Sequence, residues 1–496
     1  MRADWISYCS GKLMPNLSRV LLLAMGIAFI RVWRSWAFHF TYSYNEPVVF
    51  SFDVRDFFSI GTIIGTLVCL LIIKKSKSLV WSGGLLAGVA LMTAGSVPMV
   101  VIQAGGYVLP VLWVTALVLI VSAGFALVQA SWIEWLACKT IPLVTLLSCM
   151  LAWLMHAIIW TPLGSLDISS LYLEIAVIVL PLLSLGAMIL DASCEAEKPD
   201  AEGLSKLLGL GQPSVQQPRS SLQAPPFFNP CDFAVIKPNL PLFVWAWVFT
   251  VAYSVGTVYS GMGRSSSATM VGELLAVCML ILAFWILGSN FDYTTIYRFT
   301  LIMLAIGFAA AAFENQDPVI IQACFSASNV TIMALATTII CAFASFKQIS
   351  GAWGYSILML GWYITALTTR TILEYTGFSP DATTILFIAM AVVVLLLLAL
   401  AVSKEADLLF HWKQICFADS ETTFASRCQD LAQRYNLGER ETGVLVLLAQ
   451  GKTYAEISEL LFIALGTVRA HASHIYEKLG IHSKEELTEL LEKSSL

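Results

Sequence analysis

Apolar residues along the first 400 positions come in runs of about 20, separated by short polar stretches. A helix needs about 20 mainly apolar residues to cross a bilayer, because no unpaired backbone group can face lipid. The pattern therefore predicts twelve spans, and a long polar interval divides them into two sets of six. The predicted spans are 17–38, 54–73, 79–101, 107–130, 141–160, 171–190, 240–259, 270–287, 294–313, 319–346, 351–373 and 382–402.

Composition agrees with a membrane protein. The chain has 496 residues, of which 58% are hydrophobic and 12% are charged, whereas soluble proteins carry about 25% charged residues. These values exclude a soluble enzyme and a disordered chain. No nucleophile, base and orienting group occur at a recognisable spacing, so we expect no enzymatic activity. The eleven cysteines have no metal-ligand spacing, and we expect neither a metal site nor a cofactor.

Basic residues predict the orientation of the spans, since Lys and Arg resist translocation. With the N-terminus inside, Lys74, Lys75 and Lys139 fall in inner loops, while Glu46 and Asp381 are in outer loops. Both termini are therefore predicted to be cytoplasmic. Arg31 and Arg34 follow the first apolar run where a signal-peptide cleavage site would need small residues, so we expect an uncleaved first span.

Two six-span halves, 13–190 and 240–403, flank a proline-rich cytoplasmic linker at 191–239. This organisation resembles the major facilitator superfamily, whose halves are related by an axis along the membrane normal. The resemblance implies a transporter-like fold between residues 13 and 403. The loop after the second span, Lys74-Lys75-Ser76-Lys77, lacks the Asp and Gly residues of that family's signature. This departure counts against active transport but not against the fold.

Few ionisable residues lie within the predicted spans. Arg31 and Arg34 either extend to the outer interface or bind an anionic ligand, since guanidinium pairs well with carboxylates. For His156 we expect packing against Trp153 and Trp160. For Glu273, one turn into its predicted span, we expect solvation at the helix end.

The last 67 residues follow a different pattern, with dense charges at helical spacing. Residues 430–496 contain seven Lys or Arg and ten Asp or Glu, a net charge of −3. Apolar stripes predict helices over 437–451, 454–461 and 465–479 and a fourth after Ser483. A short turn between the second and third helices is typical of a helix-turn-helix, which places its second helix in the major groove.

The motif residues are Gly451-Lys452-Thr453-Tyr454-Ala455-Glu456-Ile457, then Gly466-Thr467-Val468-Arg469-Ala470-His471 and Ile475-Tyr476-Glu477-Lys478-Leu479-Gly480. This segment closely resembles the DNA-binding domain of the LuxR family of transcription regulators. The resemblance implies phosphate contact by Thr467, base contacts by Arg469, Ala470 and Ser473, and positions near the DNA backbone for His471 and Lys478. The full predicted DNA-binding set is Lys452, Thr453, Thr467, Arg469, Ala470, His471, Ser473, His474, Lys478 and Lys484.

The residues themselves support these roles. Arg469 can make paired hydrogen bonds to guanine, and Lys452, Thr453 and Lys484 lie where side chains or helix ends can hold phosphates. Gly438 and Ala464 stand where the family has capping Ser or Thr, and His474 replaces a usual Asn. A lost cap costs about 1 kcal/mol, so we expect a less stable domain with the same function.

The chain is thus predicted to be all-α: a polytopic helical bundle of about twelve spans, a juxtamembrane link at 404–429, and a four-helix LuxR-type domain at 430–496. We interpret it as a membrane-bound transcription regulator in the bacterial cytoplasmic membrane, sensing through its transporter-like part. The alternative is a solute transporter of the major facilitator type with a regulatory DNA-binding tail. Expected partners are double-stranded promoter DNA with a two-fold site, the lipid bilayer, a second copy paired through the last helix, and a small-molecule ligand.

Overall fold

The computed structural model describes the chain in segments, and all structural statements below concern those residues. In the apolar part the segments are 17–41, 52–76, 78–80, 82–105, 110–140, 142–165, 170–195, 240–259, 266–287, 293–311, 318–347 and 350–376, with positions 384, 387, 390, 391 and 394. In the polar part they are 428, 431–432, 434–435, 437–449, 453–454, 457–458, 464–481 and 486–487. Backbone contacts divide the chain into two compact units, Met1–Cys416 and Phe417–Leu496.

Eleven long helices are described in the first unit. They are α1 Leu17–Thr41, α2 Val54–Ser76, α3 Gly84–Gly105, α4 Val111–Lys139, α5 Pro142–Ser165, α6 Ser170–Glu195, α7 Leu240–Tyr259, α8 Ser266–Leu287, α9 Tyr293–Ala311, α10 Pro318–Lys347 and α11 Gly351–Thr376. Each corresponds to one predicted span. The twelfth predicted span, 382–402, lies outside the described residues except for five helical positions between 384 and 394.

Six of these helices are long and apolar enough to cross a membrane over their described residues. These stretches are Leu17–Phe38, Val54–Ser76, Gly84–Ile102, Val111–Lys139, Val319–Ala342 and Gly351–Leu373. Five shorter apolar stretches of 10–17 residues belong to α5, α6, α7, α8 and α9. The length and composition of these apolar helices together suggest a multi-pass membrane protein.

The two sets of helices repeat one packing scheme. The pairs α2–α4, α3–α4 and α1–α5 pack together, and the pairs six helices later, α8–α10, α9–α10 and α7–α11, pack in the same way. Small residues permit the close approach: a Cβ at Gly65 would collide with the backbone of Ala123 in α4, and one at Gly272 with the backbone of Ala323 in α10. In a membrane, lipid is as apolar as the helices, so the hydrophobic effect does not favour helix association. Close van der Waals packing through small residues stabilises the helix pairs instead.

At one end of the bundle, here called the Lys139 end, α1 begins and α4 and α6 end. Arg19 forms a two-point ion pair with Asp191, with N···O distances of 2.7 and 3.1 Å, and also donates to the Lys139 carbonyl at 2.9 Å. Trp135 donates to the same carboxylate at 2.8 Å. Asp191 was placed in the linker by the sequence pattern, whereas it is buried within α6. Two N–H groups of Arg19 and the indole N–H of Trp135 thus stabilise the Asp191 carboxylate. Because this charge is paired, α6 can continue past Asp191 to Glu195.

At the opposite end, here called the Arg370 end, α2 begins and α11 ends. Arg370 donates to Asp56 at 2.7 Å and to Asp53 at 2.9 Å, and Arg55 also pairs with Asp53. These residues join the first set of helices to the second. The α5–α8 pair joins the two sets as well.

In the second unit, α12 spans Glu439–Ala449 and α13 spans Leu465–Leu479. Twelve buried residues form its core: Cys428, Leu431, Val444, Leu445, Leu448, Ile457, Val468, Ala472, Ile475, Leu479, Ile481 and Leu487. The sequence pattern placed Cys428 in the juxtamembrane link, but it is fully buried in this core. The compact unit also begins earlier than residue 430, at Phe417. The division of the chain into five segments stays a prediction.

Candidate DNA interface and buried polar cluster

In the second unit, helix α13 has one buried and one exposed face. Val468, Ala472, Ile475 and Leu479 are buried at the 3.6-residue spacing of a helix. The opposite positions, Gly466, Thr467, Arg469, Ala470, Ser473, His474 and Glu477, are exposed. The core therefore fixes α13 on one side and leaves a polar face toward solvent on the other.

The two ends of α13 differ in how their backbone groups are satisfied. Ala464 precedes the helix in extended conformation and provides no side-chain cap, as its residue type predicts. Gly480 follows with φ +67°, and the N–H groups of Gly480 and Ile481 donate to the carbonyls of Glu477 and Tyr476 at 3.2 and 3.0 Å. This is a Schellman motif, in which the buried Ile481 also completes the core.

Lys478 is held within the domain. Its Nζ lies 2.7 Å from Glu441 Oε2 in α12, and the same oxygen accepts the N–H of Gly438 at 2.8 Å. Glu441 therefore caps α12 where the Gly438 side chain cannot, and it ties α13 to α12. The hydrogen bonds from Lys478 and Gly438 lower the pKa of Glu441 below its usual value. The Lys478 side chain remains 41% exposed, and its predicted position near the DNA backbone stays a prediction.

The structure brings most of the predicted DNA-binding residues to one face. Thr467, Arg469, Ala470, Ser473 and His474 share the exposed side of α13, and His471 is half-buried beside them. Thr453 is exposed just before the helical residue Tyr454, and its carbonyl accepts the N–H of Ile457 at 2.9 Å. Lys452 and Lys484 lie outside the described residues.

A second candidate site lies inside the first unit. The Arg31 guanidinium stacks over the Trp153 ring, with Cζ 3.7 Å from the ring centroid. The Nε atoms of Arg31 and Arg34 are buried and have no hydrogen-bond partner among the described residues. Because α1 extends to Thr41, both arginines lie well inside the helix rather than at its outer end.

His156 of α5 connects the two sets of helices at this level. Its Nδ1 is 2.8 Å from Glu273 Oε2 in α8, and its Nε2 is 2.8 Å from Ser35 Oγ in α1. The Trp153 and His156 rings contact edge to face at 5.9 Å between centroids, as we expected; the side chain of Trp160 lies outside the described residues.

The expectation for Glu273 is wrong. Its side chain is 2% exposed and bonded to His156, because α8 begins at Ser266 and Glu273 sits about two turns inside it. Sequence reasoning therefore missed the pairing of His156 with Glu273. The signal available was that both residues are ionisable and lie in spans of different halves, since such residues face the interior of a helical bundle and pair with one another.

Comparison with known proteins identifies the second unit. Residues 435–491 match the family model of bacterial regulatory proteins of the luxR family. The oxygen regulatory protein NreC of Staphylococcus aureus, in strains JH9 and JH1, is 47% identical over 60 residues, which are 12% of this chain. The matched segment is 28% of the relatives' own length, so the chain spans about a quarter of those proteins.

More than three quarters of the chain also aligns with solved transporter structures. The major facilitator superfamily transporter FucP in the outward conformation aligns with a TM-score of 0.46 and 13% identity, covering 77% of this chain and 98% of that one. The nucleoside transporter NupG, as a D323A mutant, aligns with a TM-score of 0.42 and 15% identity, covering 79% and 100%. Residues 435–491 are thus a LuxR-type helix-turn-helix domain, joined in one chain to an apolar bundle of long helices.

Proposed function

We propose that the protein is a membrane-bound transcription regulator that binds double-stranded promoter DNA through α13 and senses a signal through its helical bundle. The observation that supports DNA binding best is the exposed polar face of α13, which includes Arg469 and has a buried apolar core behind it. A helix presented in this way fits the major groove, which is about 12 Å wide.

Each exposed residue has a distinct proposed role. Thr467, in the first turn of α13, holds a DNA phosphate together with the backbone at the helix start. Arg469 makes paired hydrogen bonds to a guanine, and Ala470, Ser473 and His474 follow along the same groove. His471, Thr453, Lys452 and Lys484 contact the DNA backbone. Lys478 forms an ion pair with Glu441, and its proposed role is to hold α13 against α12 while its side chain lies near the DNA backbone.

The domain's charge bears on how it binds. A net charge of −3 over residues 430–496 is unfavourable for DNA, because neutralising phosphates dominates affinity. We therefore propose that two copies pair through the last helix and bind two half-sites, since linked binding events raise the overall affinity without new contacts.

We place the bundle in the bacterial cytoplasmic membrane with both termini inside. The exposed Lys74 and Lys75 at the end of α2 support this orientation. Arg19 and Lys139 belong to the same side if successive helices alternate in direction, and the structure does bring them together. On this view the Lys139 end faces the cytoplasm and the Arg370 end faces outward.

DNA binding is tested with the full-length protein in lipid nanodiscs. Footprinting at low salt on DNA from its own operon should show a protected two-fold site. Arg469→Ala should weaken binding by about 1–3 kcal/mol and relax specificity at one base pair. Arg434→Ala is the matched control, because Arg434 is exposed in the same unit but lies outside α13. Absence of protection at low salt, with folded protein, would rule out the regulator.

A further inference from the structure

We propose that the buried cluster of Arg31, Arg34, His156 and Glu273 binds a small monocarboxylate. The inference deepens the sensing role proposed above and rests on it. It names a ligand class for a site that joins both sets of helices. Four observations support it: the unpaired guanidinium atoms, the local charge, the aromatic wall and the bridge through His156.

The guanidinium groups have donors without acceptors. The Nε of Arg31 and the Nε of Arg34 are buried and unpaired among the described residues. A buried donor without an acceptor costs free energy, and more so on a charged group. The Trp153 ring supplies a cation–π contact to the face of the Arg31 guanidinium, which is not a hydrogen-bond acceptor for its N–H groups. The indole N–H of Trp153 is also buried and unpaired.

The cluster also has unbalanced charge. The electrostatic neighbours of Arg31 are Cys149, Tyr355, Arg34 and Glu273. Glu273 is the one carboxylate in that group, and it accepts a hydrogen bond from His156. Among the described residues the cluster thus contains two guanidiniums and one carboxylate, at a depth where an uncompensated charge is costly. With His156 neutral, the sum is one positive charge, and one further negative charge would make the site neutral.

This charge decides the ligand class. A monocarboxylate supplies a single negative charge and two oxygens in the plane that a guanidinium recognises. A phosphate monoester carries nearly two charges at neutral pH and would leave the site negative beside Glu273. A neutral amide would leave it positive. The site therefore selects a monoanion.

The position of the site suggests how binding reaches the rest of the bundle. Ser35, His156 and Glu273 form a continuous bridge from α1 through α5 to α8. Arg31 and Arg34 lie in α1, the helix that contributes Ser35 to this bridge, so a ligand held by them would bear on a helix that the bridge connects to α5 and α8. Occupancy would change the equilibrium between packings of the two sets of helices only by its differential affinity for them.

The first experiment measures thermal unfolding of the full-length protein in nanodiscs with a panel of probes. The probes are the straight-chain monocarboxylates from acetate to octanoate and benzoate, each paired with its amide, and the corresponding alkyl phosphates. A ligand that binds only the folded state raises the melting temperature in a saturable way. We expect at least one carboxylate to do so while its amide and phosphate counterparts do not.

Variants locate the effect. Arg31→Gln and Arg34→Gln should each weaken the carboxylate's Kd at least about tenfold, since each removes a charge-assisted hydrogen bond. Arg298→Gln, which changes an exposed arginine of α9, is the matched control and should bind as the wild type does. Without ligand, Arg34→Gln should unfold at the wild-type temperature or above, because it removes an uncompensated charge. That measurement keeps the proposal testable if Arg31→Gln fails to fold.

Four results would overturn the proposal: no stabilisation by any carboxylate, equal stabilisation by the amides or phosphates, loss of binding in Arg298→Gln alone, or a large fall in stability of ligand-free Arg34→Gln. Footprinting on the same samples separates this inference from the proposed function. DNA protection without carboxylate binding rejects the ligand class alone. Carboxylate binding without DNA protection rejects the regulator alone.

Discussion

Replacing Arg370 by Met tests the ion-pair network at the Arg370 end. Asp53 and Asp56 are 7% and 3% exposed, and Arg370 donates one hydrogen bond to each at 2.9 and 2.7 Å. With Arg55, the described members of the network are two carboxylates and two guanidiniums. The substitution removes the guanidinium that donates to both buried carboxylates, so that among the described residues the two negative charges share Arg55 alone.

The magnitude follows from these distances. Two unit charges about 4 Å apart interact by about 4 kcal/mol at an effective dielectric constant of about 20. Removing one partner of a buried pair costs about 3–5 kcal/mol, because the remaining charge stays desolvated. The Arg370 side chain is 19% exposed, so we expect the lower part of this range, about 3 kcal/mol.

The assay is unfolding of the purified protein in detergent or nanodiscs, with a double-mutant cycle. Arg370→Met alone should lower the free energy of unfolding by about 3 kcal/mol. Adding Asp56→Asn should restore most of it, because the uncompensated charge is then absent. Arg298→Met, an exposed arginine, serves as the control and should change little. If Arg370→Met and Arg298→Met have equal effects, or if Asp56→Asn adds to the loss, the network does not stabilise the bundle.

Three further predictions concern other contacts. Gly480→Ala should destabilise the second unit by about 1–2 kcal/mol in chemical denaturation, because φ +67° is strained for any residue with a Cβ. Gly443→Ala is the control, since a Cβ at Gly443 would meet open space, and equal effects of the two substitutions would contradict the prediction. Glu134→Gln should be tolerated, since a single oxygen of Glu134 accepts the N–H groups of Leu79 and Val80 at 2.8 and 3.2 Å and the amide keeps such an oxygen. Glu134→Ala should lower the free energy of unfolding by about 1–3 kcal/mol, because both N–H groups lose their acceptor. Thermal unfolding of the two variants checks this, and equal losses of stability would refute it. The pKa of Glu441 is lowered, so its stabilising effect is present above its usual pKa and is lost as pH falls through the lowered value. The stability of the second unit should therefore depend less on acid pH in Glu441→Gln than in the wild type. An unchanged pH dependence would show that Glu441 does not contribute to acid unfolding.

The helices were predictable where a single periodicity decided them. The bounds of α7 and α13 agree with the predicted ones because both helices coincide with uninterrupted patterns. Other ends shifted: α6 continues to Glu195 and α8 begins at Ser266, since tertiary partners satisfy Asp191 and Glu273. A one-dimensional pattern cannot show such partners.

The two candidate sites differ in the same respect. The exposed face of α13 follows from its apolar stripe, so residues such as Arg469 and Ser473 could be assigned from the sequence. The buried cluster brings Arg31 of α1, His156 of α5 and Glu273 of α8 together, and that arrangement depends on how three helices pack. Each residue alone was consistent with an ordinary interface or helix-end position.

The two sets of helices contact each other through different interactions at the two ends of the bundle. At the Arg370 end, ion pairs join the two sets of helices. At the Lys139 end, the described contacts between the sets are close and nearly uncharged: Cys341 Sγ lies 3.7 Å from the Ile133 carbonyl, and Gly351 packs directly against Ala137. Dissolved salt screens charges and leaves dispersion contacts unaffected. Because Asp53 and Asp56 are 7% and 3% exposed, and buried ion pairs are screened much less than exposed ones, salt concentrations that dissociate surface ion pairs should leave the contacts between the two sets of helices intact at both ends.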